Sequence, residues 1–278
     1  MKLSVLMSVY AKEQQPLLEL SLRSLANQTR RPDEVVLVED GPIGAELMAT
    51  IDQHRATLNI QSVLLPRNVG LGAALNEGLR VCRGHLVARM DTDDIALPDR
   101  FFSQLDVFDG DERVDILGGY AIEIDSSGKR GRLRAVPTTH DAIVRTMWAN
   151  PIIHPAVMFR RDSILELGGY SPKAMRCEDY ELWLRCAAAG LRFSNIPKPL
   201  IEYRFTPDTH KRQSNRNMWR QGQIGFFGSR RIGLPLWAQL ACFAPFVRGL
   251  LPTPLQHGAY RVMQVFDPRA KRSKAEEK

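Results

Sequence analysis

Leu3-Ser-Val-Leu-Met-Ser-Val-Tyr10 is a short apolar run rich in β-formers, and it predicts a first strand. From Pro16 to Asn27, Leu18, Leu22 and Leu25 recur on one face at helical spacing. Gln28-Thr-Arg-Arg-Pro32 breaks that helix. Glu34-Val-Val-Leu-Val-Glu39 is apolar between acidic ends, the pattern of a strand covered on both faces, and Gly41-Pro42 stops it. A helix over 44–56 and a strand over 61–65 follow. Asn68-Val-Gly-Leu-Gly72 turns into a helix over 73–82, and Leu86 to Met90 forms a fourth strand. This βαβαβαβ rhythm predicts an α/β fold, a parallel sheet with helices on both faces.

Ligands of such sheets bind beyond the carboxyl ends of the strands. Strand one ends in Ser8-Val-Tyr10, strand two in Glu39-Asp40-Gly41 and strand four in Asp91-Thr-Asp-Asp94, so several polar groups point to one sheet edge. Further on, residues 115–136 read as a strand, a turn and a returning strand. Residues 150–159 read as a loop entering a strand, Gly168-Gly-Tyr170 as a turn, and Glu178 to Ala189 as a helix stopped by Gly190.

The 278 residues suffice for one large α/β domain plus an appendage. No secretory signal is evident: Leu3 to Met7 is too short, and Lys12 and Glu13 follow it. Cys82, Cys177, Cys186 and Cys242 show no CxxC spacing, so neither a zinc site nor a disulfide framework is indicated, and a cytoplasmic location fits. The net charge of +7 is uneven: residues 204–278 hold fourteen Lys/Arg against four Asp/Glu, while the first 203 are slightly acidic.

Asp91, Asp93 and Asp94 repel one another, and folding alone gives no reason to collect them. An all-oxygen cluster at a strand end suits a hard divalent cation, Mg²⁺ or Mn²⁺, which would bridge a nucleotide diphosphate and stabilise its departure. The alternative is a helix start capped by Asp93 or Asp94. The glycines after Asn68 do not form GxGxxG behind strand one, and no GKS or GKT occurs, so a dinucleotide fold or P-loop is unsupported.

Ser8-Val-Tyr10, Val38-Glu-Asp-Gly41, Asn68 to Asn76, Met90-Asp-Thr-Asp-Asp-Ile95 and Glu178-Asp179 occur in the order seen in glycosyltransferase family 2, which the chain resembles over about residues 1–205. Pro32 to Pro42 and Ala88 to Ile95 resemble the bacterial O-antigen and exopolysaccharide enzymes of amylovoran type in particular. The resemblance implies the GT-A fold, Rossmann-like with a mostly parallel central sheet, and inverting transfer. A catalytic domain would span 1–205, with a nucleotide-sugar half at 1–95 and an acceptor half at 96–205. It implies Tyr10 beside the uracil ring with Ser8 near it, Asp40 accepting from the uracil imide, and Asn68 near the nucleotide. Asp91 would face the ribose or the hydrated metal, and Asp93 would ligate the metal on the UDP diphosphate. Asp94 would support the acceptor side or the metal shell. Asp179, with Glu178 beside it, would take the proton of the attacking hydroxyl. A helix start favours the ionised carboxylate and keeps it ready at neutral pH.

Other positions leave two readings open. His154, between prolines in Asn150-Pro-Ile-Ile-His-Pro155, is an acceptor contact or a structural histidine. Trp183 is a sugar platform or core. Arg204 is a donor-diphosphate contact or structural. Residues 206–278 form a basic, helical extension. Ile232 to Val247 is uncharged but too short and too Pro-broken to span a membrane. It is either an interfacial segment on anionic lipid, flanked by Arg230, Arg231 and Arg248, or a helical pair packed on the catalytic domain. Lys271 to Lys278 reads as disordered.

The expectation is a metal-dependent transferase moving galactose or glucose from a UDP-sugar to a lipid-diphosphate-linked sugar, peripheral on the cytoplasmic face of the inner membrane. No nucleic-acid motif accompanies the basic tail. The alternative is a non-catalytic nucleotide- or glycan-binding protein on the same fold.

Overall fold

A computed structural model describes residues 1–205 and 214–250. The predicted alternation is present: β1 (Leu3–Val9), α1 (Gln15–Ala26), β2 (Glu34–Glu39), α2 (Ala45–Leu58), β3 (Ile60–Leu64), α3 (Leu71–Val81) and β4 (Leu86–Arg89). Alternate side chains of these strands enter opposite cores, as a pleated strand covered on both faces requires. Leu3, Val5, Met7 and Val9 of β1 and Val35 and Leu37 of β2 pack with Leu18, Leu22 and Leu25 of α1 and Ile51 of α2. Leu6, Val36 and Val38 pack on the other face with Leu75 and Leu79 of α3. Each large apolar side chain buried this way contributes about 1.5–3 kcal/mol, which is why the order of these elements is written so plainly in the apolar pattern.

Beyond β4 the sheet continues in a mixed fashion. The strands β5 (Ile95–Ala96), β6 (Ile116–Ile124), β8 (Met158–Arg160) and β9 (Phe193–Arg204) join it in the order β3-β2-β1-β4-β8-β6-β9-β5, and β7 (Arg130–Arg134) pairs with β6. β1 to β4 are parallel. β8 is antiparallel to both β4 and β6, and β5 to β9. The expected halves on either side of residue 95 therefore share one sheet. The remaining helices in this region are α4 (Arg100–Gly110), α5 (His140–Arg145), α6 (Arg161–Glu166) and α7 (Glu178–Ala188).

After the undescribed residues come α8 (Asn215–Arg231), α9 (Leu236–Ala241) and α10 (Ala244–Gly249). Ser214 caps α8, its hydroxyl accepting from the Asn217 amide. The segment Ile232 to Val247 thus holds a helical pair, as one of its two readings had it. Ala238 and Cys242 are buried, and Cys242 lies 3.7 Å from the Tyr180 hydroxyl of α7. The same segment leaves Leu236, Trp237, Leu240 and Val247 exposed. No helix among the described residues is long and apolar enough to cross a membrane. The expected disorder of Lys271 to Lys278 lies outside the described residues.

Candidate active site

Because β1, β2 and β4 run in parallel, their carboxyl ends deliver Tyr10, Asp40 and Asp91 to one edge of the sheet. Ser8 and Tyr10 are half-buried there. Asp40 is almost wholly buried, and its carboxylate accepts from the amides of Val69 at 2.6 Å and Gly70 at 3.1 Å. Its carbonyl accepts from the Asn68 side chain at 3.2 Å. Asp40 therefore clamps the turn that opens α3, and contact with a base would use its remaining lone pairs. Gly70 sits at φ 88, a backbone position that favours glycine.

Asp91, Asp93 and Asp94 each present an oxygen within 4.8 Å of the others. Beneath them lies Arg89, 1% exposed, with its guanidinium paired to the Asp91 carboxylate. A second buried arginine, Arg100, donates to the Arg89 carbonyl at 2.7 Å. Asp94 is buried too: one oxygen accepts from the Arg204 main-chain amide at 2.7 Å, and the other has no partner among the described residues. Buried arginine and the end of β9 thus hold the acids together in the protein itself. The sequence reading had assigned that task to a metal.

The cluster remains short of positive charge. Burial, and then the Asp91 charge, push Asp93 up to about 6. Burial likewise lifts Asp94 well above the usual carboxylate range. Oxygen-only donors at this spacing, and the orphaned Asp94 oxygen, fit a hard divalent cation. Asp91 and Asp93 are accessible enough to hold it directly, with Asp94 behind them.

A second acidic group stands at the first turn of α7. Asp179 accepts from the Asn150 side-chain amide at 3.1 Å. Burial raises its pKa above the ordinary aspartate value, opposed by the Asn150 bond and by main-chain amides. The helix start was expected to favour the ionised carboxylate; its amides do so, and burial opposes them. Desolvation outweighs the helix amides, which makes Asp179 a stronger base than an exposed aspartate. Burial also raises Glu178. Gly72 in α3 makes room for that side chain, since a Cβ there would lie 2.8 Å from the Glu178 Cγ.

At four positions the surroundings favour one of the two readings that the sequence left open. Trp183 is wholly buried in the core, so it offers no face to a sugar. His154 shares a hydrogen bond of 2.9 Å with the Tyr170 hydroxyl and packs edge-on to Trp183. Burial and the Arg89 charge hold its pKa well below the ordinary value, so it is a neutral structural histidine rather than an acceptor contact. Arg204 donates from Nε to the Asp93 carbonyl at 2.9 Å and from Nη1 to the Asp125 carbonyl at 2.8 Å, so its guanidinium ties loops together, as its structural reading had it. Asp94 is too deep to touch an acceptor.

Sequence reasoning passed over Arg89, Arg100, Asn150 and Tyr170. Arg89 had left a signal, a charge inside the otherwise apolar strand Leu86 to Met90. Its charge acts on Asp91, on Asp94 and on Asp179. Asn76 bonds both the amide and the carbonyl of Tyr170 at 2.7 Å, fixing the loop before α7 against α3.

Residues 4–168 match the family model described as Glycosyl transferase family 2. The chain is 38% identical over 213 residues to the UDP-Gal:alpha-D-GlcNAc-diphosphoundecaprenol beta-1,3-galactosyltransferase of Escherichia coli, covering 76% of this chain and 77% of that one. It is 41% identical over 206 residues to the amylovoran biosynthesis glycosyltransferase AmsE of Erwinia amylovora, covering 74% of this chain and 77% of the relative. In overall shape it is similar to Staphylococcus aureus TarS 1-349 in complex with UDP-GlcNAc, with a TM-score of 0.68 at 18% identity, over 96% of this chain and 80% of that one. It is also similar to the mannosyltransferase PcManGT of Pyrobaculum calidifontis, with a TM-score of 0.60 at 17% identity, over 96% and 81%. These structural likenesses bear on the fold, which is the GT-A type. With its motif order, its sheet-edge acids and these relatives, the chain belongs to glycosyltransferase family 2.

Proposed function

We propose that this glycosyltransferase moves a hexose, galactose or glucose, from a UDP-sugar to a lipid-diphosphate-linked sugar, with inversion and with the help of Mn²⁺ or Mg²⁺. The observation that carries this reading is the arrangement of two acidic groups around one buried guanidinium. Asp91 pairs with Arg89, and the Arg89 charge also acts on Asp179. A metal-held leaving group and a proton acceptor would then flank one sugar carbon. The name of the E. coli relative supports the choice of donor and acceptor.

Asp179 takes the proton of the acceptor hydroxyl as that oxygen attacks the anomeric carbon. UDP departs from the opposite face with the electron pair of the broken bond, so an α-linked donor gives a β-linked product. A divalent ion held by Asp91 and Asp93 would neutralise the charge growing on the diphosphate. Ser8, Tyr10, Asp40 and Asn68 would line the nucleoside side of the site. Glu178 stands beside the base. The exposed apolar residues of α9 and α10, with Arg230, Arg231 and Arg248 near them, support a peripheral position on the cytoplasmic face of the inner membrane.

The test is UDP release with Mn²⁺ across a panel of UDP-sugars, with and without a synthetic GlcNAc-diphosphate-lipid. Metal-dependent release from one donor, stimulated by that acceptor, is the expected result. Absence of UDP binding under any condition would overturn the reading. Tight UDP binding without release would favour the binding-protein alternative.

A further inference from the structure

A groove of about 480 Å³ runs between α7 and α8. Arg220, Ile224, Phe227 and Arg231 line it from α8, at the spacing of one helix face. Glu181 and Arg185 line it from α7, and the stripe that holds them begins three residues earlier at Glu178, beside Asp179. The α7 and α8 backbones close tightly at its floor, where a Cβ on Gly228 would lie 2.5 Å from Leu184 Cδ1.

The groove is polarised. Arg185 is spent on Glu181, with both bonds at 2.9 Å, and on two main-chain carbonyls. Lys173, Arg220 and Arg231 have no carboxylate partner among the described residues. Lys173 lies in the loop that leads into α7. Arg220 is at the same end, where its charge acts on the Cys177 thiol next to Glu178. Ile224 and Phe227 come next along α8, Phe227 being 64% exposed. Arg231 stands about 16 Å beyond Arg220 at the rise of a helix, followed by the exposed Leu236 and Trp237.

We propose that this groove is the acceptor's lipid-diphosphate subsite. Lys173 and Arg220 hold the diphosphate, Ile224 and Phe227 carry the first units of the apolar chain, and Arg231 marks the exit towards the lipid surface. The order of chemistry along the groove matches such an acceptor. Anion, apolar chain and membrane follow one another as cations, aromatic and apolar side chains, and exposed helix face, and the cations stand at the end of α7 whose first turn carries Asp179. The charge also fits, because a diphosphate diester is a dianion and the groove carries unpaired cations. The inference rests on the lipid-diphosphate acceptor proposed above.

The experiment measures binding of a farnesyl-diphosphate-linked GlcNAc, followed by the fluorescence of Trp219 and its neighbours. Octyl GlcNAc, which has no diphosphate, serves as the comparison. The proteins are the wild type, the double variant Lys173→Glu/Arg220→Glu, and Phe227→Asp. UDP binding with Mn²⁺ and circular dichroism check that each variant folds. The expected result is a loss of at least tenfold in affinity for the diphosphate probe in the double variant, with octyl GlcNAc and UDP binding unchanged. Phe227→Asp also weakens binding of the farnesyl probe, by removing the apolar contact with its chain. No binding by the wild type, or equal binding by the folded double variant, overturns the subsite. If the probe binds as expected but no UDP-sugar is ever transferred to it, the subsite stands and the proposed transfer fails. If transfer proceeds and the acceptor KM of the double variant stays at the wild-type value, the transfer stands and the subsite falls.

Discussion

The acids after β4 and the acids opening α7 are the same residue types under opposite arrangements. Asp91, Asp93 and Asp94 stand over buried Arg89 and under the end of β9, so charge and main chain fix their positions. Asp179 has only neutral hydrogen-bond partners, the Asn150 amide and main-chain amides of its own helix turn. Burial raises the pKa in both groups. The first group answers by assembling oxygens within 4.8 Å, which suits a cation. The second leaves one raised carboxylate, which suits a proton. Environment, not residue type, separates the two tasks.

Asp179→Asn breaks the second half of that contrast and should have the largest effect. Transfer should fall by about 10²–10⁴-fold, the usual worth of a general base, while Mn²⁺-dependent UDP binding stays intact by calorimetry. Retained transfer would remove Asp179 as the base.

Asp93→Asn addresses the first half. UDP binding should lose its dependence on Mn²⁺, and transfer should fall with it. Chelation of the wild type should reproduce the effect and added Mn²⁺ should reverse it. Transfer that survives chelation would mean that the acids serve no ion.

Arg89→Met tests whether protein cations organise the cluster. Removing one partner of a buried pair costs about 3–5 kcal/mol, and the lower end applies because Asp91 is 34% exposed. Urea unfolding without metal should show the loss, and Mn²⁺ should recover part of it by replacing the positive charge. Unchanged stability would show that Arg89 is a bystander.

Asn150→Gly is the gentlest probe. Asn150 has φ 49, which glycine adopts without strain, so the change removes the amide alone. The Asn150 bond favours the ionised Asp179, opposing the burial that raises its pKa. Asp179 works only when ionised, so transfer falls as pH drops through its pKa. Without the amide that pKa rises further. The acid limb of the pH–rate profile should then move to higher pH. A limb that stays put would separate Asn150 from the base.

The positions of the acids were legible in the sequence, and so was the alternation that brings them to one edge. Their counter-ions were not. Arg89 lay in plain view inside an apolar strand, but its pairing with Asp91 depends on burial among groups far along the chain, Tyr170 and His154 among them. Asn150 and Asp179 are 29 residues apart and meet only when α7 docks. His154 and Trp183 looked like site residues because loop histidines and helix tryptophans often are. Contact between them, and with Tyr170, shows that they form the wall behind the site.

The sequence by itself determined the α/β order of residues 3–90 and the family. Strand and helix periods report which face is buried, and that information is local. Only the tertiary structure decided how β8, β6, β9 and β5 extend the sheet, because these strands pair with partners far along the chain. The same holds for the basic C-terminal region. Its pattern allowed either a membrane face or a packed helical pair, and the packed pair presents exposed apolar side chains on its outer side. Charge and hydropathy along a chain set what a segment can do, and which surface remains open is fixed only when its other surface has found a partner.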